Sequence, residues 1–168
     1  DGESWEATRD EGIRPDTTLE SLAGLRTPFR EDGVLTAGNS SQISDGAAAM
    51  LIASAETAKR LGLTPLARFH SFGLGGVDPV LGLAGPIPST QNALERGRLR
   101  LDDIGLFEVS EAFASVPMAW SRELGADLDK VNVNGGAISL GHPLGASGAR
   151  LMTTLVHEMR RTGTRYGL

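Results

Sequence analysis

Between Asn132 and Gly148 the chain reads Asn-Val-Asn-Gly-Gly-Ala-Ile-Ser-Leu-Gly-His-Pro-Leu-Gly-Ala-Ser-Gly, with five glycines inside fourteen residues. A short strand candidate, Val131–Val133, leads into it, and a helical stripe of Leu151, Leu155 and Met159 follows. Glycine at this density admits positive φ and lets backbone approach a ligand or a neighbouring strand. The start of the following helix favours a developing negative charge. His142 lies inside the run, and Pro143 after it disfavours a helical conformation for the histidine. The residues alone allow two readings. One is a tight strand-to-helix turn with a capping histidine, and the other is a catalytic loop.

Several functions are excluded by the same run. No Gly-Lys-Ser/Thr follows, so it is not a phosphate loop of the nucleotide hydrolases. The G-x-G-x-x-G spacing of dinucleotide domains is absent, and Arg161 and Thr162 stand about 20 residues on, where such a domain places an acid. His70, His142 and His157 have no metal-ligand spacing, so no metal is expected.

The rest of the chain alternates strand and helix signals, which predicts an α/β layered domain. Strands are expected at Val34–Asn39, Leu66–Phe72, Ile104–Val109 and Val131–Val133. Ser44-Asp45-Gly46 is expected to cap a helix over 47–60, where Ala48, Leu51, Ile52, Ala55 and Ala58 form a stripe. After a loop at Gly82–Pro88, a helix starting near Pro86 and Pro88 should end near Gly97. Residues 111–124 read as a helix bent at Pro117, and Gly148–Arg161 as the last helix. Residues 1–33 are irregular and acidic, with nine acids against four Arg, so the remaining residues are neutral. Without a basic surplus, no nucleic-acid partner is expected. No apolar run approaches the roughly 18 residues of a membrane span. The opening residues lack a signal-peptide pattern, and both ends read as cut from something longer. Cysteine is absent, which removes a disulfide framework and a thiol nucleophile from these 168 residues.

Three ordered segments carry a family resemblance. NVNGGAISLGHPLGASGARL resembles the GHP-containing signature of the thiolases, the CoA-dependent acyltransferases of Claisen condensation and its reverse. Residues 36–49 (TAGNSSQISDGAAA) resemble the family's TAGN-x-S segment, and residues 108–114 (EVSEAFA) its NEAFA segment. GPIPST at 85–90 and EGIRPDTTLESL at 11–22 also fit. The resemblance implies a layered αβαβα fold, mostly its C-terminal half: the tail of an inserted loop domain at 1–33, the last segment of the N-terminal half at 34–64, and the C-terminal half at 65–168. Both family cysteines would lie outside these residues.

The resemblance also implies roles. His142 matches the histidine that activates the nucleophilic thiol and donates to the thioester oxygen, two tasks an imidazole suits. Ser41 matches a serine that contacts the pantetheine arm of CoA, and Ala112 and Phe113 match residues lining its channel. Phe113 reads equally well as a core aromatic. Ser110 stands where the family usually has Asn, whose role is to hold an oxyanion-hole water. A hydroxyl can hold water too, with one donor, so Ser110 is kept as a catalytic candidate.

The expected function is thiolytic cleavage or Claisen condensation of acyl-CoA thioesters by a longer parent, with the piece alone inactive. CoA would be substrate, with no resident cofactor. A homodimer or homotetramer is expected, in the cytoplasm, and the excess of Arg over Lys (14 to 2) suggests a GC-rich bacterium. The alternative is a thiolase-like protein that binds acyl-CoA or lipid without condensing it. An unrelated nucleotide-binding α/β module would rest on the glycine run alone. His157 is expected on a solvated helix face, His70 half-buried, Trp5 and Trp120 in packing, and Arg160, Arg161 and Arg165 at a solvated helix end.

Overall fold

The computed structural model describes Ser4 and residues 6–168, so the reading of Trp5 lies outside the described residues. The chain divides into two units, one ending at Gly38 and one running from Asn39 to Leu168. In the first, helix α1 (Leu19–Ala23) is opened by a reciprocal cap. The Thr18 Oγ1 accepts the Ser21 N–H at 3.1 Å, and the Ser21 Oγ accepts the Thr18 N–H at 3.0 Å. The segment expected as a strand at 34–39 instead ends in the 3-10 turn Ala37–Asn39.

The second unit is organised about residues 104–109, where Ile104, Leu106, Phe107 and Val109 are buried. Two segments flank this run in parallel. On one edge Gly105 N–H donates to Tyr166 O (3.0 Å), Leu168 N–H to Leu106 O (3.0 Å) and Glu108 N–H to Leu168 O (2.8 Å). On the other, Phe107 N–H donates to Lys130 O (2.9 Å) and Asn132 N–H to Phe107 O (2.8 Å). The contacts are isolated parallel bridges, Leu106 with Gly167 and Phe107 with Val131, and no longer ladder forms among the described residues. The expected strands at 104–109 and 131–133 are therefore extended segments held by isolated bridges, two on the first and one on the second.

Helices cover both faces of this arrangement. After α2 (Ala55–Arg60), α3 (Pro86–Gly97) and α4 (Ser115–Leu124) lie on one side. There Ile104, Phe107, Val109, Val116, Trp120 and Ala126 form the core, with Ile87, Leu94 and Phe113 packed against it. Trp120 is 1% exposed. Its ring meets Phe107 edge-on at 5.0 Å, and its Nε1 donates to the Thr90 Oγ1 of α3 at 2.9 Å, so the indole's one polar atom is satisfied. On the other side, after the short α5 (Ala137–Leu140), α6 (Ser147–Thr162) brings Leu155 and Met159 against Gly167 and Arg150 to Glu108.

Five further expectations need correction. The helix expected over 47–60 begins only at Ala55, where the Ser54 Oγ accepts the Thr57 N–H at 3.1 Å. Residues 47–54 are not helical, and Leu51 and Ile52 are exposed. Residues 66–72 form no bridge, because side chains tie them to α3 instead: Ser71 Oγ donates to Ala93 O at 2.8 Å and the His70 Nε2 lies 2.9 Å from Gly97 O. His70 is accordingly exposed rather than half-buried. Pro117 does not interrupt its helix, because α4 starts at Ser115 and a proline in the first turn removes only an N–H that has no helical partner. Within the expected loop at 82–88, residues to Ala84 belong to a 3-10 helix, Pro79–Ala84, opened by Asp78.

Candidate active site

Three segments far apart in sequence meet through their backbones. Asn39–Ile43 is the first. The second is Ser110–Ala114, which links the central extended run to α4. The third is Gly141–Pro143, which links α5 to the turn before α6. Between the first two, Ser41 N–H donates to Ala112 O and Ala114 N–H to Asn39 O, each at 2.9 Å, around an antiparallel bridge between Ser40 and Phe113. Between the first and third, His142 N–H donates to Gln42 O at 2.7 Å beside a parallel bridge between Ile43 and His142. All five candidate residues lie on these segments.

Two glycines make the third segment possible. Gly141 has φ +89°, and a Cβ there would strike the Ser44 side chain. Gly136 lies so close to Glu111 that a Cβ would overlap the carboxylate. Only glycine accommodates both the left-handed turn and the close approach. The Ser44 hydroxyl, expected to open a helix, is thus packed against Gly141.

His142 is half-buried, and its Nδ1 lies 2.7 Å from the Ser147 Oγ. Ser110 is exposed, while Ser41, Ala112 and Phe113 are half-buried. Phe113 joins the bridge to Ser40 and packs against the core, the second of its two sequence readings. An open recess beside His142 is lined by Ser44–Ala48 and Pro143–Ala146. A second lies between α4 and the glycine loop and includes Glu111, Met118, Asn132 and Ile138. Ser41, Ala112 and Phe113 line neither recess. Among the described residues, no group of three or more His, Asp or Glu is placed to hold a metal ion.

The sequence reading missed the side chains that brace these segments. Asn132, at φ +49°, clamps the residue before Ser110: its Oδ1 accepts the Val109 N–H at 2.8 Å and its Nδ2 donates to Val109 O at 3.0 Å. The Glu111 Oε2 accepts the Ile138 N–H at 3.0 Å, joining the second segment to α5. The Glu108 side chain is 4% exposed and 3.2 Å from the Arg150 guanidinium. Burial pushes its carboxyl up to about 7; Arg150 opposes the rise and the nearby Glu111 charge adds to it. Glu158 is also buried, but hydrogen bonds from Arg161 and then Asn134 hold it down to about 2. Its two bonds to Arg161 measure 2.6 and 2.9 Å. The one available signal for Asn132 was its residue type beside a glycine run, since asparagine tolerates the left-handed conformation better than most residues. The other pairings leave no periodic trace.

Among the remaining residues, His157 is exposed on α6 and Trp120 is packed, as expected. Arg161 is engaged by Glu158, and Arg165 lies over the Tyr166 ring at 5.1 Å. No helix of the described residues is long and apolar enough to cross a membrane.

Comparison with known proteins matches the thiolase C-terminal domain to residues 63–168 and the thiolase N-terminal domain to residues 1–56. The 3-ketoacyl-CoA thiolase of Bacillus subtilis is 53% identical over 161 residues, covering 96% of this chain and 41% of that protein. The acetyl-CoA acetyltransferase of Pseudomonas aeruginosa is 50% identical, covering 99% of this chain and 42% of that protein. Among solved structures, the Bacillus anthracis acetyl-CoA acetyltransferase superposes with a TM-score of 0.90 at 46% identity, over 95% of this chain and 40% of that one. Human mitochondrial 3-ketoacyl-CoA thiolase in complex with CoA gives 0.86 at 45% identity, over 94% of this chain and 40% of that one. The chain therefore spans about two fifths of the length of these relatives. On its three stapled motifs, its layered α/β fold and these matches, the chain belongs to the thiolase family.

Proposed function

We propose that the full-length protein is a thiolase-type acyltransferase. It cleaves 3-ketoacyl-CoA thioesters with CoA, or condenses two acyl-CoA thioesters in the reverse sense. The observation that carries this reading is the backbone stapling of Asn39–Ile43, Ser110–Ala114 and His142 into one locus. Chemistry on a thioester needs a base, an oxyanion donor and a path for the pantetheine arm at one place. His142 serves as base toward a thiol and as donor toward the thioester oxygen. Ser110 holds a water as the second donor, its exposure leaving room for one. Ser41, Ala112 and Phe113 border the pantetheine path. A covalent acyl-thioester on a cysteine replaces one hard step by two easier ones. That cysteine must come from outside these residues, which contain none, so the 168 residues alone are inactive.

CoA is a substrate on this reading, and no resident cofactor is required. Residues 1–33 are the tail of an inserted loop domain, 34–64 the last segment of the N-terminal half, and 65–168 the C-terminal half. The protein works as a homodimer or homotetramer in the bacterial cytoplasm, in fatty-acid metabolism. The test is thiolysis of acetoacetyl-CoA by the full-length protein. Activity is expected, with a loss of roughly 10²–10⁴-fold for His142→Ala and roughly 10²–10³-fold for Ser110→Ala. CoA binding without turnover would overturn the acyltransferase reading in favour of a non-catalytic binding protein.

A further inference from the structure

We infer that Ser147 is the positioning residue of His142, holding the ring proton on Nδ1 so that Nε2 is the nitrogen that works. The inference rests on the acyltransferase reading above for the use to which Nε2 is put, and on the geometry alone for the tautomer. Ser147 is buried at the first residue of α6, 7% exposed. Its Oγ is 2.7 Å from the His142 Nδ1 and 3.0 Å from the Pro143 carbonyl oxygen. The Pro143 carbonyl also accepts the N–H groups of Ala146 (2.8 Å) and Ser147 (2.9 Å). That turn fixes Oγ relative to the imidazole. The main chain of His142 is fixed in the same way by its N–H bond to Gln42 O.

A hydroxyl has one proton, and a neutral imidazole has one N–H. With the hydroxyl proton directed to the Pro143 carbonyl, Oγ presents a lone pair to Nδ1. Only an Nδ1–H completes the 2.7 Å contact. Nε2 is then left with its lone pair and can take a proton from a thiol. Once it has done so, both ring nitrogens carry protons: Nδ1–H still donates to Ser147, and Nε2–H can donate to a thioester oxygen. The ring therefore serves both steps without turning over. This is the part an orienting carboxylate plays in a Ser-His-Asp triad, performed here by a neutral hydroxyl that adds no charge to a half-buried site.

The test begins with the full-length protein labelled with ¹⁵N-histidine, reading the two ring nitrogens of His142 by ¹⁵N–¹H correlation. Nδ1 protonated and Nε2 bare is the expected result. The reverse tautomer, in which the hydroxyl has turned from the crowded Pro143 carbonyl to Nδ1, overturns the inference. In Ser147→Ala, the His142 signals should report both tautomers. Its kcat should fall by about 10- to 100-fold, the worth of one hydrogen bond to a charged group, with KM unchanged. Ser147→Thr, which keeps the hydroxyl, should restore both. A Ser147→Ala protein with wild-type kcat and a single Nδ1–H tautomer would also overturn the inference. If the alanine variant does not fold, the wild-type spectrum and the threonine variant decide. A wild-type protein with no thiolytic activity refutes the acyltransferase reading instead, and the tautomer is still read.

Discussion

Replacing Glu108 by Gln should remove a pH dependence of stability whose size follows from where the carboxyl sits. In the folded chain its side chain is 4% exposed, and burial outweighs Arg150, so it titrates at about 7 rather than at 4.5. Between those values the folded state holds a proton that the unfolded chain has released. Stability from the protonated form is thus complete below 4.5 and is lost as the pH rises through 7. At about 1.36 kcal/mol per pH unit, that interval is worth about 3 kcal/mol. Glutamine keeps an acceptor for Arg150 and cannot ionise. Urea midpoints of wild type and Glu108→Gln, measured at fixed pH values from 4.5 to 8, give the difference directly. Other titrating groups cancel in the comparison, including Glu158, whose pKa of about 2 places its own change at more acid pH. The variant should gain about 3 kcal/mol on wild type across the series. Parallel curves would refute the claim that burial, rather than Arg150, governs this carboxyl.

Trp120→Ala should cost about 3–5 kcal/mol, since it empties the centre of the core and leaves the buried Thr90 hydroxyl without its donor; denaturant unfolding at constant slope measures it. Asn132→Ala removes both clamps on Val109 and should cost about 1–3 kcal/mol, with faster amide exchange at Val109 as the local readout. Gly136→Ala should break the Glu111 bond to the Ile138 N–H, because the added methyl takes the place of the carboxylate; loss of exchange protection at Ile138 is the measurement. Acid titration should show the Glu158–Arg161 pair contributing stability above pH 4.5 and losing it as the pH falls through about 2, a loss absent from Glu158→Gln.

What could be read from the sequence depended on whether the signal was local. Helices α3 and α6 lie close to where they were expected, since Pro86 and Pro88 open the first and Gly163, at φ +71°, closes the second by their own backbone restrictions. The run Ala47–Ser54 carries helical spacing but also suits an extended chain, and its apparent cap at Ser44 is occupied by Gly141. Apolar runs such as Leu66–Phe72 announce strand propensity without naming a partner, and this one is held by side-chain bonds to α3 instead. At the site, His142 and the two companion segments were legible from their motifs. The braces were not. Asn132 meets Val109 across 23 residues and Glu111 meets Ile138 across 27, separations that leave no period to detect.

Main-chain hydrogen bonds join the first motif segment to each of the other two. Such links do not depend on the side chains of the residues that make them, so Ser41, Ala114 and His142 can be exchanged for other residues that keep the N–H while their neighbours keep their places. The links have a narrow vulnerability instead. Proline at 41, 114 or 142 would delete the N–H that forms each link, a restriction on sequence variation in this locus that adds to those at Gly136 and Gly141.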